Sequence, residues 1–251
     1  MKKRNNRISS LDGARGIAAF SVLVFHLFGN EYRLLGTLYL AVDFFFVLSG
    51  FVLAKNIEEI INLTELKKFI VKRAIRIYPM VIAVLSYTIL YDLLIFVKHK
   101  IFDQPQTPSI ILNSTTLIIS IFLLQIFSKK AQLVDFPIWS LSAEWIINIC
   151  YALLQLLQRK VFFLLTLFGF TLILFGTFTA HEIYISLGRC CYGFGLGILI
   201  SRRKEKTKLN KVYPILALVL TIIGLIGEIF IQNVPYFYIP LIFSFDIYVL
   251  S

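Results

Sequence analysis

The sequence predicts an all-α fold: a polytopic transmembrane helical bundle of about eight spans plus one re-entrant or interfacial helix. Three observations predict it. Of 251 residues, 58% are hydrophobic and only 16% are charged, against roughly 45–50% and about 25% in soluble domains. The mean hydropathy is +0.82. The apolar residues gather into runs of about 18–20, long enough to cross a bilayer as helices, rather than into the short alternating segments of a β-barrel. A soluble globular domain, a disordered chain, a collagen and a disulfide scaffold are all excluded.

The expected spans run over 13–30, 36–54, 78–97, 139–157, 161–179, 183–200, 212–231 and 236–250. The first follows the basic stretch Met1–Arg7 but carries Arg15 and His26 and shows no small-residue cleavage site. It reads as a retained span rather than a signal peptide. The second carries Asp43 near its entrance, and the third follows the basic stretch 67–76. The fourth opens on Trp139 and Trp145, the two tryptophans of the chain, which suit an interfacial belt. In the sixth, Gly193 and Gly197 form a G-x-x-x-G helix-packing face. The last run stops at Leu250-Ser251 without basic residues to close it, which reads as a chain cut short at its C-terminus. No repeat and no long hydrophilic loop divides residues 1–251, so a single membrane domain is expected.

Segment 109–127 is a ninth apolar stretch, and the basic residues decide its status. If it does not cross and Met1 is cytosolic, 18 Lys and Arg fall inside and 5 outside, with Arg15 and Arg189 within spans. If it crosses, the division is 12 to 11. The positive-inside rule selects the first arrangement, with a cytosolic N-terminus and 109–127 as the re-entrant or interfacial helix on the outer side. The net charge of +11 then reflects helix orientation and contact with anionic lipid, not nucleic acid. Cys150, Cys190 and Cys191 lack metal-ligand spacing and read as small buried hydrophobes, so no metal site is expected.

Ionisable groups inside spans are costly and mark function. That filter leaves Asp12, Arg15, His26, Asp43, Glu144, Arg189, Glu228 and Asp246. Ser9-Ser10-Leu11-Asp12 reads as a helix start of the capping-box type. Arg15 and His26 are eleven residues apart, close to three whole turns, so both lie on one helix face. Asp12 is on that face too and can pair with Arg15. Asp43 either caps its helix or pairs with Arg33. Arg73 and Arg76, at i, i+3, form a basic helical face suited to bidentate phosphate recognition, or else serve as topology anchors. Glu144 lies just below the tryptophan belt, where a carboxylate can orient a histidine, or else it answers the helix macrodipole.

The order of these pieces resembles the integral-membrane acyltransferase 3 family. Leu11-Asp12-Gly13-Ala14-Arg15-Gly16-Ile17-Ala18-Ala19 followed by His26 is similar to its R-x10-H opening. Val42-Asp43-Phe44-Phe45-Phe46-Val47-Leu48-Ser49-Gly50-Phe51 resembles its second-helix signature, which brings in Asp43 and Ser49. Arg73-Ala74-Ile75-Arg76 resembles its R-x-x-R motif, and Trp139-Ser140-Leu141-Ser142-Ala143-Glu144 its W-S-L-x-x-E motif. The resemblance implies an enzyme of the bacterial-type plasma membrane. It would move an acyl group, usually acetyl, from cytosolic acyl-CoA to a hydroxyl of a cell-surface carbohydrate. Acyl-CoA is then a donor substrate, the glycan the acceptor and the lipid bilayer the surroundings, with no cofactor held permanently. The implied roles are general base or acyl carrier for His26, a place near the thioester for Arg15, orientation of His26 for Glu144, and coenzyme phosphate binding for Arg73 and Arg76. The rival class is a transporter of a sugar or lipid-linked intermediate, since His, Asp and Glu within spans also make proton relays. It lacks support from internal repeats or broken helix pairs.

The topology is testable. With the native cysteines replaced, Lys204→Cys is expected to react with a membrane-impermeant maleimide only from the cytosolic side. Labelling of intact cells from outside would reverse the arrangement.

Overall fold

In the computed structural model, residues 8–56, 60–102, 114–128, 138–157, 162–202, 212–230 and 236–251 are described. Among them are helices and turns and no strand. The helices are α1 (Ser9–Phe28), α2 (Arg33–Gly36), α3 (Ala41–Asn56), α4 (Leu63–Ile101), α5 (Ser114–Ile121), α6 (Trp139–Leu156), α7 (Phe162–Thr179), α8 (Glu182–Ser201), α9 (Val212–Phe230) and α10 (Tyr238–Leu250). Short 3-10 turns, Thr37–Leu40 and Gln125–Phe127, precede α3 and follow α5. Among the described residues, five helical stretches are long and apolar enough to cross a membrane: Ser9–Phe28, Arg33–Lys55, Leu63–Ile101, Glu182–Ser201 and Val212–Phe230. Phe163–Thr179 and Tyr238–Leu250 are shorter apolar helices. Phe20, Phe178, Ile215 and Leu218 stand on the surface, an arrangement that fits lipid and not water. The protein is an all-α membrane helical bundle.

The chain folds into two compact units, Met1–Glu58 with Val161–Ser251, and Glu59–Lys160. In the first, α8 packs against α3 on one side and α7 on the other. Backbones approach closely because glycines face them. A Cβ on Gly197 would overlap the carbonyl of Val47, and one on Gly50 the carbonyl of Phe194. On the α7 side, a Cβ on Gly169 would overlap the backbone of Tyr192. Leu40, Phe44, Val47 and Phe51 of the second segment meet Ile239, Phe243 and Ile247 of α10 in one apolar cluster that Leu11 and Ala18 of α1 also join. The rings of Phe44 and Phe243 meet edge to face at 5.8 Å. The start of α1 does not form the capping box expected of Ser9-Ser10-Leu11-Asp12. The helix begins at Ser9 with Ile8 at the cap and no side-chain cap bond. The Ser10 hydroxyl instead donates to the carbonyl of Leu250 at 2.7 Å and ties α1 to the end of α10.

In the second unit, α4 runs for 39 residues, about 58 Å at ~1.5 Å per residue, far longer than a ~30 Å hydrocarbon core. The basic stretch and the third expected span are one helix. Asn62 Oδ1 accepts from the Glu65 amide at 2.9 Å while the Glu65 carboxylate accepts from the Ile61 amide at 2.9 Å, a reciprocal start that anchors α4 well before Pro79. Residues 109–113 of segment 109–127 lie outside the described residues, and 114–127 do not run as one helix. Helix α5 ends at Ile121, Leu123 adopts a positive φ of 55°, and the Gln125–Phe127 turn follows. Ile77, Val81 and Leu85 of α4 bury against Leu123 and Ile138, with Leu141 and Trp145 of α6 packed alongside.

Gly197→Val is expected to lower the unfolding temperature in detergent or nanodiscs, at a cost of about 1–3 kcal/mol or more from overpacking against α3. Gly227, whose Cβ position is open, is the matched control. Gly227→Val should be close to neutral.

Candidate active site

Arg15 and His26 both lie on the uninterrupted helix α1, so they share the face that their spacing predicts. Arg15 sits 3.6 Å from Asp12, one turn away, with both side chains partly exposed. His26 is exposed near the end of α1. Its ring meets Phe25 edge to face at 5.0 Å, and Phe25 lies 5.8 Å from Tyr39. That contact leads from His26 to the most buried charges among the described residues.

Asp43 does not cap α3 or pair with Arg33. It pairs with Arg189 of α8. Arg189 Nη2 donates to Oδ2 at 2.7 Å and Nε donates to Oδ1 at 3.1 Å. Arg189 is 4% exposed and Asp43 is fully buried. The guanidinium is also flanked by the rings of Tyr39 and Tyr236, 5.1 and 5.3 Å away. A bidentate fork between two π faces is what makes a buried charge tolerable. Beside it, Glu228 of α9 accepts from the Tyr39 hydroxyl at 3.3 Å and from the Tyr238 hydroxyl at 3.1 Å. The ends of α1, α3, α8, α9 and α10 thus carry one polar and aromatic network next to His26. Ser49 lies two turns further along α3, half-buried.

Arg73, Arg76 and Glu144 belong to the second unit. Arg73 and Arg76 follow one another on α4, with Arg76 exposed. The Arg73 guanidinium lies over the Phe69 ring at 5.6 Å, and Arg76 and Glu144 are near enough to bear on its charge. Glu144 therefore acts on Arg73 from the neighbouring helix α6. The sequence reading paired Glu144 with His26, which is part of the first unit.

Sequence reasoning passed over a stripe on α6. Glu144, Asn148, Tyr151 and Gln155 are spaced four, three and four apart and so share one face. Gln155 donates to the Tyr151 hydroxyl at 2.7 Å and accepts from the Ile60 amide at 3.1 Å. Asn148 is 1% exposed, and neither of its side-chain polar atoms has a hydrogen-bond partner. The signal was present as polar residues at helical spacing within an expected span. Below the tryptophans, the Ser142 hydroxyl donates to Leu123 at 2.5 Å and accepts from the Ile126 amide at 3.4 Å. It fixes the turn after α5 against α6. The Tyr78 hydroxyl donates to Ile121 at 3.0 Å, and its ring meets Trp145 edge to face at 6.2 Å.

The profile of one family, described as an acyltransferase domain, matches residues 8–250. A Rhizobium radiobacter protein known as protein 2 in the picA locus is 30% identical over 160 residues, covering 58% of this chain and 81% of that protein. A Staphylococcus aureus (strain COL) protein, whose name assigns it provisionally to the O-acetyltransferases, is 37% identical over 109 residues. That match covers 39% of this chain and 17% of the staphylococcal protein. A counterpart in strain N315 is 36% identical over the same length. No solved structure matches.

Removing one member of the buried pair strands the other. Arg189→Met or Asp43→Leu alone is expected to cost about 3–5 kcal/mol, while the double variant should recover most of it. Thermal unfolding of all four proteins at matched lipid composition checks the cycle. A loss in the double variant equal to the sum of the two single losses would mean that the pair is not coupled.

Proposed function

Since the chain belongs to the acyltransferase 3 family of membrane acyltransferases, we propose that it transfers an acyl group, of acetyl size, from cytosolic acyl-CoA to a hydroxyl of a cell-surface carbohydrate. The observation that carries this reading is an exposed histidine at one end of a membrane helix whose other end presents an arginine on the same face. Neutral imidazole is suited to take the proton of an acceptor hydroxyl near neutral pH. The freed oxygen attacks the thioester carbonyl, the carbon–sulfur bond breaks, and the coenzyme leaves as a thiol with the proton that His26 held. In the two-step version His26 itself carries the acyl group before the acceptor oxygen takes it.

The polar network beside His26 supports the reading. Phe25 and Tyr39 connect the histidine to a rigid, charge-paired frame. A general base held on such a frame loses little entropy when the acceptor arrives. For the donor, Arg73 and Arg76 supply two forks on one helix, and planar guanidinium groups fit phosphate oxygens in pairs. The Phe69 ring lies against Arg73 and Glu144 of α6 bears on its charge, while Arg76 is exposed. Arg15 is assigned to the thioester end, where its positive charge would answer the negative charge that develops on the carbonyl oxygen.

Two variants separate the roles in cells with matched membrane levels. His26→Ala should lower glycan acylation by about 10²–10⁴-fold while acyl-CoA binding to the purified protein persists. Arg76→Lys should weaken acyl-CoA binding despite its conserved charge. Parent-like acylation by His26→Ala would remove His26 from the chemistry, and parent-like donor binding by Arg76→Lys would reduce that residue to a topology anchor.

A further inference from the structure

Glu228 is one of the ionisable groups that fall within the expected spans, and the chemistry proposed above does not use it. It sits near the end of α9. Its Oε1 accepts from the Tyr39 hydroxyl at 3.3 Å and its Oε2 from the Tyr238 hydroxyl at 3.1 Å. Both bonds are long, since a hydroxyl donating to a carboxylate normally sits about 2.5–2.7 Å away. Tyr238 also shares its single proton with the Gly224 carbonyl at 3.3 Å. An ionised carboxylate offers about four lone-pair sites. Here the two tyrosines meet it loosely, and among the described residues no cation pairs with it. Glu228 therefore has room for further donors.

The neighbours of Glu228 are aromatic, and they lead to His26. Tyr39, Tyr236, Tyr238 and Glu228 are each partly exposed, so none of them is sealed in the core. The Arg189 guanidinium against Tyr39 and Tyr236 is already neutralised by Asp43, which leaves Glu228 as the uncompensated charge of the cluster. The Tyr39 ring lies 5.8 Å from Phe25, and Phe25 lies 5.0 Å from His26. All of these residues belong to one compact unit.

Resting on the acyl-transfer reading above, we propose that Glu228, with Tyr39 and Tyr238, is the acceptor subsite and takes two hydroxyls of an uncharged sugar whose reacting hydroxyl extends towards His26. Three features select that class. Sugar hydroxyls are neutral donors that come in adjacent pairs, and the two oxygens of one carboxylate accept such a pair. The faces of tyrosine rings carry partial negative charge and pack against the C–H bonds of a sugar ring. An uncompensated carboxylate repels a second one, so a uronic acid or another acidic sugar is disfavoured, as are the phosphates of the coenzyme. In the expected topology the ends of α1 and α9 that carry His26 and Glu228 are both on the outer side, where a surface glycan arrives.

The test uses the full chain in nanodiscs and two water-soluble photoreactive probes, a diazirine-bearing methyl glucoside and its glucuronide counterpart, with mass spectrometry locating the label. The glucoside should label Tyr39 or Tyr238 and lose that label to excess methyl glucoside. The glucuronide should label these residues about tenfold less, as expected of one partly screened like-charge contact. Glu228→Gln keeps the shape and removes the charge, so the two probes should label it alike. A carboxylate that only held the tyrosines in place would give no preference to lose. The comparison of the two probes on the parent keeps the test decisive if the variant does not accumulate. Equal labelling of the parent by both probes, no competition by methyl glucoside, or a preference that survives Glu228→Gln would each overturn the proposal. Acyl transfer measured on the same preparations separates the two readings. Selective labelling without transfer would leave the sugar site standing and remove the acyl-transfer reading, and transfer without selective labelling would do the reverse.

Discussion

The paired burial of Arg189 and Asp43 governs the larger unit. A guanidinium cannot stay in a low-dielectric interior unless its donors are met and its charge is answered. Here the carboxylate comes from α3, the cation from α8, and the flanking rings from the turn before α3 and the turn before α10. The position of each helix end follows from this requirement. Glu228, held by Tyr39 and Tyr238, extends the same network to α9. The ion pair is thus less a source of net stability than a device that fixes register among helices whose apolar faces would tolerate sliding.

Close packing makes that register possible. Lipid offers apolar side chains as good a solvent as another helix does, so association in a bilayer depends on contact and on polar pairing. Gly197, Gly50 and Gly169 let α3, α8 and α7 approach until backbone meets backbone. Only at such short separations does the Arg189 fork reach Asp43 in a bidentate geometry. Glycine stripes and the buried pair are two parts of one constraint.

Helix α1 is held less tightly than α3 and α8. Its Leu11 and Ala18 join the core, while Ile17, Phe20 and His26 remain exposed. One face carries Asp12, Arg15 and His26, and another borders a cavity that Asp246 also lines. In the second unit, Arg76 of α4 is exposed and Arg73 lies over the ring of Phe69. Both units place the candidate side chains Arg15, His26, Arg73 and Arg76 on long helices rather than loops. In lipid, exposed loop backbone is excluded, and a helix satisfies its own amides.

The sequence by itself determined the class of the protein. Composition and run length require membrane helices, because an apolar run of bilayer length can satisfy its backbone only as a helix. The one-face spacing of Arg15 and His26 was equally legible, since helical geometry is local. So was the family, whose motifs are short and ordered along the chain. Local reasoning failed where a partner came from a distant part of the chain. Asp43 was matched to Arg33 or to a cap, but its partner is 146 positions away. Ser9-Ser10-Leu11-Asp12 was read as a start of the capping-box type, yet no side-chain cap forms and the Ser10 hydroxyl serves the far end of α10. The third expected span was placed at 78–97, and the reciprocal cap at Asn62 and Glu65 starts that helix at Leu63. Asp246 stood out as an ionisable group within a span, but the cavity it borders had no sequence signature, because a void is defined by the several helices that fail to fill it. Periodicity assigns side chains to faces. Which faces meet is decided by volume, charge and hydrogen bonding across the whole bundle, and only the tertiary structure carries that information.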